Sequence, residues 1–214
     1  MDKNQKYVIT INRELGSGGR TVGRKLAEKL NVAFYDKALI NELKKKFQLD
    51  TEQIEKLKSG KGDWWREFIN SAMYMGQGMN EMWYYQRMTG QEGYLVTSSD
   101  MFKMDKEILT QVTAEDSCVI AGRNGFSVFA DHPNHLSILI QAPLEHRIQR
   151  IMSKQQLSRE ETEKVIKKVD EMRENYVKKY SGTSRYDTRN YDLVINMEGK
   201  TEDEAVELIL QYIG

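Results

Sequence analysis

A glycine-rich turn near the start of the chain has the composition of a phosphate-binding loop. Residues 7–26 read Y-V-I-T-I-N-R-E-L-G-S-G-G-R-T-V-G-R-K-L: a β-branched run, three glycines within four positions, and the opening of a helix. Such a turn directs backbone N–H groups and a helix N-terminus at an anion. The standard loop, G-x-x-x-x-G-K-[ST], carries a lysine that reaches the transferred phosphate. Here Arg13 stands at the first glycine position and Gly19 at the lysine position, so the pattern predicts phosphoryl chemistry without identifying its cation.

Charge balance and cysteine content exclude several classes of protein. The 32 basic and 32 acidic residues give a formal net charge of zero, so no overall positive field favours nucleic acid or an anionic membrane, and neither partner is expected. A phosphate site must therefore be a local basic cluster. No apolar run approaches the ~20 residues of a membrane span, and no signal-peptide core is recognised, which predicts a cytoplasmic protein. The single cysteine, Cys118, is expected to be a small buried hydrophobe.

Short apolar runs alternate with segments of helical periodicity, which predicts an α/β fold built on a parallel sheet. A length of 214 residues suits one domain, 1–214. Apolar residues at helical spacing predict helices at 22–30 and 144–152. The predicted strands are 7–12, 32–35, 118–121, 136–141 and 193–197.

The interval 37–115 is too long for one crossover and is predicted to be a helical insertion. It contains an aromatic, methionine-rich stretch, 64–87, for which core packing or a dimer contact is favoured over a base-stacking pocket or a partner surface. A further helix is expected at 99–114.

The charged segment 158–179 predicts a long polar helix. This helix either has a solvated face held by i,i+4 ion pairs or acts as a mobile lid that carries cations to phosphates.

Five segments, taken together and in chain order, carry a family signature. They are I-T-I-N-R-E-L-G-S-G-G-R-T at 9–21, F-Y-D at 34–36, S-C-V-I-A-G-R at 117–123, A-P-L-E-H-R-I-Q-R at 142–150 and Y-D-L-V-I-N at 191–196. Together they resemble the cytidylate kinase-like family, relatives of the nucleoside monophosphate kinases within the P-loop kinases. The resemblance implies a three-layer fold with a five-stranded parallel sheet, a helical insertion over the acceptor, and a lid over the donor at about 153–190.

On the donor side, the resemblance implies a loop that cradles the phosphates of ATP. Its aligned residues are Gly16, Ser17, Gly18, Gly19 and Arg20. Thr21, just beyond the loop, is expected to ligate Mg²⁺ or to cap the helix. Because Gly19 occupies the lysine position, Arg20 or Arg13 is expected to supply the missing charge.

On the acceptor side, two strand ends carry candidate residues. Asp36 follows the second strand and matches the aspartate that opens the acceptor region, where it would hold metal-bound water or orient the acceptor. The alternative for Asp36 is an N-cap for the helix that begins at Lys37. Gly122 and Arg123 follow the third strand, at the carboxyl edge where open α/β sheets bind ligands. For Arg123 a grip on the acceptor's phosphate or base is favoured over a structural ion pair.

The lid region offers several further cations. Arg147 and Arg150 lie three apart on the helix after the fourth strand, share one face, and match the helix that leads into the lid. Asp170, Arg173 and Tyr176 also recur at a spacing of three, which an ordinary intrahelical ion pair explains equally well. The lid cations that the sequence does not separate are Arg173, Arg185 and Arg189. The candidate catalytic residues are Arg20, Asp36, Arg123 and Arg173.

Three histidines, His132, His135 and His146, lack the carboxylate or cysteine partners of a usual metal site, so turn and surface roles are expected.

The loop and the family resemblance together predict ATP- and Mg²⁺-dependent transfer of phosphate to a small acceptor such as CMP. Two alternatives stay open: a nucleotide- or phosphate-binding regulatory protein with little kinase activity, and a kinase of another small phosphorylated metabolite. The aromatic, methionine-rich stretch would suit a homodimer.

Overall fold

Residues 1–46 and 99–214 are the part of the chain that the structure, a computed structural model, describes. Within it a parallel sheet is covered by helices on both faces. The strands are β1 (Val8–Arg13), β2 (Ala33–Asp36), β3 (Cys118–Ala121), β4 (His135–Gln141) and β5 (Leu193–Asn196). The helices are α1 (Gly19–Leu30), α2 (Lys37–Lys46), α3 (Ser99–Glu115), α4 (Gly125–Val128), α5 (Leu144–Lys154), α6 (Arg159–Ser181) and α7 (Glu202–Ile213), with a 3₁₀ turn at Thr188–Asn190.

The strand order is β2-β3-β1-β4-β5, and every neighbouring pair is parallel. This confirms the predicted α/β fold with five parallel strands, each within one residue of its predicted bounds. The chain leaves β1 toward one edge of the sheet and leaves β3 toward the other. The carboxyl ends of β1 and β3 therefore flank the point where the direction of winding reverses, which is where open α/β sheets bind ligands.

The central strands are buried on both faces, which explains why their sequences are nearly continuous apolar runs. Along β1, Ile9 and Ile11 pack against α1 and α7, whereas Val8 packs in the opposite layer with α2 and α3. All three side chains are fully buried. Cys118 lies in the same layer as Val8 and is buried, as expected for a small hydrophobe. The sheet therefore holds the ends of β1 and β3 rigidly.

Helix α6 combines a solvated face with a packed one. Ser158 caps it by accepting from the Glu161 backbone N–H, and the Ser158 backbone N–H donates in return to the Glu161 carboxylate, which completes a capping box. On the exposed face, Lys164 pairs with Glu160 at 2.7 Å, as the charge pattern predicts. On the other face, Val169 is buried in the core. The packed face is what brings this helix against the glycine-rich loop.

Part of the predicted insertion lies outside the described residues. The aromatic, methionine-rich stretch 64–87 is in that part, and with it the core, dimer and base-stacking alternatives. The two helices that flank it are described, and α3 confirms the helix predicted at 99–114. None of the described helices has both the length and the apolar character needed to cross a membrane.

His135 differs from its expected turn or surface role, because it begins β4 and its Nε2 lies 2.7 Å from the Oγ1 of Thr10 on β1. Burial lowers the pKa of His135 from 6.5 to about 4. Between these pH values the unfolded chain binds a proton at His135 that the folded chain does not. The contribution of His135 to the free energy of unfolding is therefore fully present above pH 6.5 and is lost as the pH falls toward 4.

We therefore expect the wild-type protein to lose more unfolding free energy between about pH 7 and about pH 5 than His135→Gln does, with the difference set by the depressed histidine pKa. Urea unfolding at each pH measures both slopes. Equal slopes would show that His135 titrates alike in the folded and unfolded chains.

Candidate functional site

The loop between β1 and α1 needs glycine for both conformation and space. Gly16 and Gly18 have φ values of 83° and 81°, a region that L side chains rarely adopt. A Cβ on Gly16 would also lie 2.8 Å from the backbone oxygen of Arg147, so the loop packs directly on α5. Ser17 is fully buried beneath the turn, and α1 begins at Gly19. No acidic residue stands in the first turn of α1, so its positive end is suited to an anion.

Arg150, on α5, reaches the first turn of α1. Its Nη1 lies 2.5 Å from Oε1 of Glu202, and its Nη2 donates to Oγ1 of Thr21 over 3.5 Å. A Cβ on Gly18 would lie 3.4 Å from Oε1 of Glu202 and 3.6 Å from Cζ of Arg150, so the ion pair of these two side chains borders that glycine. The structure thus places this arginine beside the loop. Arg147, on the same face of α5, also faces the loop, through a 3.3 Å hydrogen bond to the Leu15 carbonyl.

Asp170 joins α6 to the glycine-rich loop. Its Oδ1 accepts a 3.0 Å hydrogen bond from the Leu15 backbone N–H, and its carboxylate forms buried ion pairs with Arg147 and with Arg185. Nη1 of Arg173 lies 3.8 Å from the same carboxylate. Three guanidinium groups therefore converge on Asp170 at the base of the loop.

The structure separates the three lid arginines that the sequence left equivalent. Arg185 is fully buried and donates from Nη2 to the backbone oxygen of Arg13; burial, and then the charge of Arg173, lower its pKa. Arg173 donates to the same oxygen over 3.0 Å. Arg189 is 88% exposed and pairs with Asp187 in its own turn at 2.7 Å. Arg173 and Arg185 thus lie at the end of β1.

Arg20 and Asp36 form a buried ion pair. Nε of Arg20 donates to Oδ2 of Asp36 over 2.6 Å, and both side chains are almost fully buried. Oδ1 of Asp36 accepts from the Leu39 backbone N–H over 2.8 Å, which is the helix-capping role considered for this residue. The guanidinium also lies 5.8 Å from the Phe34 ring centre. Arg20 is therefore directed toward β2 and the start of α2.

Arg123 forms a structural ion pair, the less favoured of its two predicted roles. Its guanidinium contacts the carboxylate of Asp105 on α3, and Lys44 on α2 contacts the same carboxylate. Its Cζ also lies 5.5 Å from the centre of the Tyr176 ring on α6. The backbone of Arg123 has a φ of 58°, unusual for a residue with a side chain. These contacts hold the cation at the carboxyl end of β3.

Lys37 and Lys44, two lysines of α2 that the sequence did not single out, extend this cationic cluster. Burial, then the charges of Arg123, Lys44 and Arg173, lowers the pKa of Lys37 to about 7. Burial and Arg123 lower the pKa of Lys44 to about 8. A bound anion would raise both values, because it would stabilise the ammonium forms. The one sequence signal was the position of Lys37, directly after a strand at the ligand-binding edge.

Three aromatic rings lie beside the same cluster. Phe102 on α3 stacks on Tyr180 of α6 with ring centres 4.1 Å apart and 14° between planes. Tyr176 meets Phe102 edge-on at 5.9 Å and also contacts Arg123. The site thus combines cations with flat apolar surfaces, a pairing suited to a planar ligand that carries a phosphate.

This fold and site define a class of proteins. A glycine-rich loop after the first strand leads into the N-terminus of the next helix, with arginines of neighbouring helices beside it, an arrangement typical of the P-loop kinases. The model of the cytidylate kinase-like family matches residues 8–199. The chain belongs to this family, which confirms the resemblance found in its sequence.

One curated relative agrees with this assignment, and two solved structures share the fold. A cytidylate kinase from Sulfolobus acidocaldarius is 25% identical over 212 residues, which cover 96% of this chain and 93% of that one. An uncharacterized protein from Eubacterium ventriosum has a similar solved structure, with a TM-score of 0.65, 23% identity and coverage of 97% and 98%. A shikimate kinase from Acinetobacter baumannii in complex with shikimate has a TM-score of 0.50, 16% identity and coverage of 99% and 97%. The two structural similarities support the fold.

Proposed function

We propose that this protein is a kinase that transfers a phosphoryl group from ATP to a small acceptor, a nucleoside monophosphate such as CMP. One observation carries the proposal: the buried guanidinium groups of Arg13, Arg147 and Arg185 lie at the glycine-rich loop and the end of β1, and the buried Arg123 follows β3 at the same edge of the sheet. Phosphoryl transfer needs positioning and charge neutralisation more than a strong base. Family membership supports a nucleotide kinase-like activity.

On the donor side, the backbone N–H groups of residues 16–20 would bind phosphate oxygens, and the positive end of α1 would add to that attraction. Arg150 would stabilise a phosphate group beside Gly18, since its guanidinium already lies next to that glycine. Asp170 would keep α6 against the loop, so that Arg173 stays close to the phosphates.

Thr21 fits a limited role in holding magnesium. Its hydroxyl oxygen lies in the first turn of α1, within 3.5 Å of Nη2 of Arg150 and so at the edge of the cradle. Mg²⁺ keeps several waters and binds phosphate oxygens, so this hydroxyl would supply one of its ligands. When bound, the ion would neutralise phosphate charge. Asp36 would keep its ion pair with Arg20 and its hydrogen bond from the Leu39 N–H of α2.

On the acceptor side, Lys37 and Arg123 would bind the acceptor's phosphate. Burial, and then the charge of Arg123, lowers the pKa of Lys37, and a bound dianion would raise that pKa by stabilising the ammonium form. The stacked rings of Phe102 and Tyr180 would provide a surface for a base. This combination favours a nucleoside monophosphate over a small acceptor without a ring.

The test is to measure binding and turnover separately. We expect nucleoside triphosphates and monophosphates with Mg²⁺ to raise the melting temperature, and ADP release to require one acceptor of the panel. Arg123→Gln should lower turnover by about 10²-fold, since it removes a cation from the acceptor side. The matched control is Arg159→Gln, because Arg159 is exposed and pairs with Glu145 away from the loop. Equal turnover in both variants would remove Arg123 from the site.

The main alternative is a regulatory protein that binds nucleotides with little turnover. The observation that favours it is Gly19 at the lysine position. Stabilisation by nucleotides without ADP release for any acceptor would select this alternative. Release with a non-nucleotide phosphorylated metabolite would instead select the third interpretation, a kinase of another acceptor.

A further inference from the structure

The side chain of Arg13 passes between two glycines. Arg13 is the last residue of β1 and is 7% exposed. A Cβ on Gly19 would lie 2.6 Å from Cβ and 3.2 Å from Cγ of Arg13, so the arginine stem lies against that glycine. A Cβ on Gly122 would overlap Nη1 and lie 3.2 Å from Cζ, so the guanidinium lies against the second. Both glycines leave the space that Arg13 occupies.

We infer that Arg13 is the phosphate-binding cation that takes the place of the loop lysine. The standard loop has a small residue at the position of Arg13 and the cation at the position of Gly19. Here the two are exchanged, and because a Cβ on Gly19 would lie only 2.6 Å from Cβ of Arg13, the two positions cannot both carry a side chain unless the backbone shifts. The inference rests on the proposed phosphoryl transfer and identifies its missing cation.

The surrounding contacts favour Arg13 over Arg20, the other cation considered for this role. Arg20 is held by Asp36 and directed toward β2. The side chain of Arg13 instead extends from the end of β1 toward Gly122. The backbone oxygen of Arg13 accepts hydrogen bonds from Arg173 and Arg185, which fix that end of the strand. The Gly122 N–H donates to the Ile11 carbonyl over 2.9 Å and so holds the glycine against β1.

This placement puts the Arg13 guanidinium between the donor and acceptor halves of the site. It lies against Gly122, the residue directly before Arg123, and its stem lies against Gly19, the first residue of α1. A guanidinium can bind two phosphate oxygens at once, whereas an ammonium acts as a point charge. Arg13 would therefore bind the transferring phosphoryl group, where negative charge must be offset.

The experiment restores the standard arrangement, with glycine at position 13 and lysine at position 19. Arg13→Gly, Gly19→Lys and the double variant are compared with wild type for stabilisation by inorganic tripolyphosphate, for ADP release and for melting temperature. We expect Arg13→Gly to lose stabilisation by tripolyphosphate and to lower turnover by about 10²- to 10³-fold. Gly19→Lys alone should melt lower, because its stem meets that of Arg13. The double variant should melt at a higher temperature than Gly19→Lys. Its turnover should be at least about tenfold higher than that of Arg13→Gly, because a cation is again present at the loop.

Arg13→Met keeps an unbranched stem without charge, so it preserves the test if Arg13→Gly does not fold. Turnover and tripolyphosphate binding close to wild type in a folded Arg13 variant would overturn the role of Arg13 and leave the proposed function intact. A double variant that melts no higher than Gly19→Lys would overturn the exchange. A wild-type protein that neither binds tripolyphosphate nor releases ADP would overturn the proposed function together with the inference.

Discussion

Replacing Asp170 with alanine is expected to lower the free energy of unfolding by about 3–5 kcal/mol, the cost of removing one member of a buried charged cluster. Arg147 and Arg185 would lose the carboxylate that neutralises them, and the Leu15 N–H would lose its acceptor. Because that N–H belongs to the glycine-rich loop, nucleotide binding should weaken together with stability. Urea unfolding and thermal shift with nucleotide measure the two effects.

Two further variants show whether charge is the cause. Asp170→Asn keeps an oxygen for Leu15 and removes only the charge, so it should still be strongly destabilising. Glu160→Gln makes the same type of change on the exposed face of α6, where the pair with Lys164 is solvated, and should change stability by less than about 1 kcal/mol. If Asp170→Asn were as mild as Glu160→Gln, the cluster would not hold α6 to the loop.

Breaking the Arg20–Asp36 pair is the second large expected effect. Arg20→Met and Asp36→Asn should each lower the free energy of unfolding by about 3–5 kcal/mol, because each leaves a buried charge without its partner. The double variant should lose less than the sum of the single losses, since neither charge then remains. Urea unfolding of the four proteins gives the coupling energy.

Arg24→Met provides the matched control for this pair, since it is the same substitution on the same helix. Arg24 pairs with Glu28 on a partly exposed surface, and its loss should amount to a few tenths of a kcal/mol. Folded Arg20→Met should also keep its stabilisation by tripolyphosphate, unlike the Arg13 variants. Additive single losses, or wild-type stability in Arg20→Met, would contradict a buried pair.

Much of the fold could be predicted because the signals for it are local. The run that forms β1 is β-branched and apolar along its whole length, as a strand buried on both faces must be. The glycines at 16 and 18 mark positions where the backbone needs a positive φ. Such constraints act within a few residues, so they can be recognised without knowing what packs against them.

The partners of the cations could not be predicted, because they lie far apart in the chain. Asp170 meets Leu15 across 155 positions, and no local pattern relates the two. Asp36 had two interpretations in sequence, and only its distance to Arg20 and to the Leu39 N–H shows which contacts it makes. Lys37 looked like an ordinary first-turn residue until burial and its neighbouring charges were known.

The sequence by itself determined the order of strands and helices, the glycine-rich turn after β1 and the family to which these belong. It did so because backbone conformation and the burial of a strand are encoded in adjacent residues. Only the tertiary structure shows which arginines lie against the loop and which pair elsewhere in the fold. A cation's role depends on the distance to its counter-charges, and here folding turns Arg20 toward Asp36 and leads Arg13 between Gly19 and Gly122.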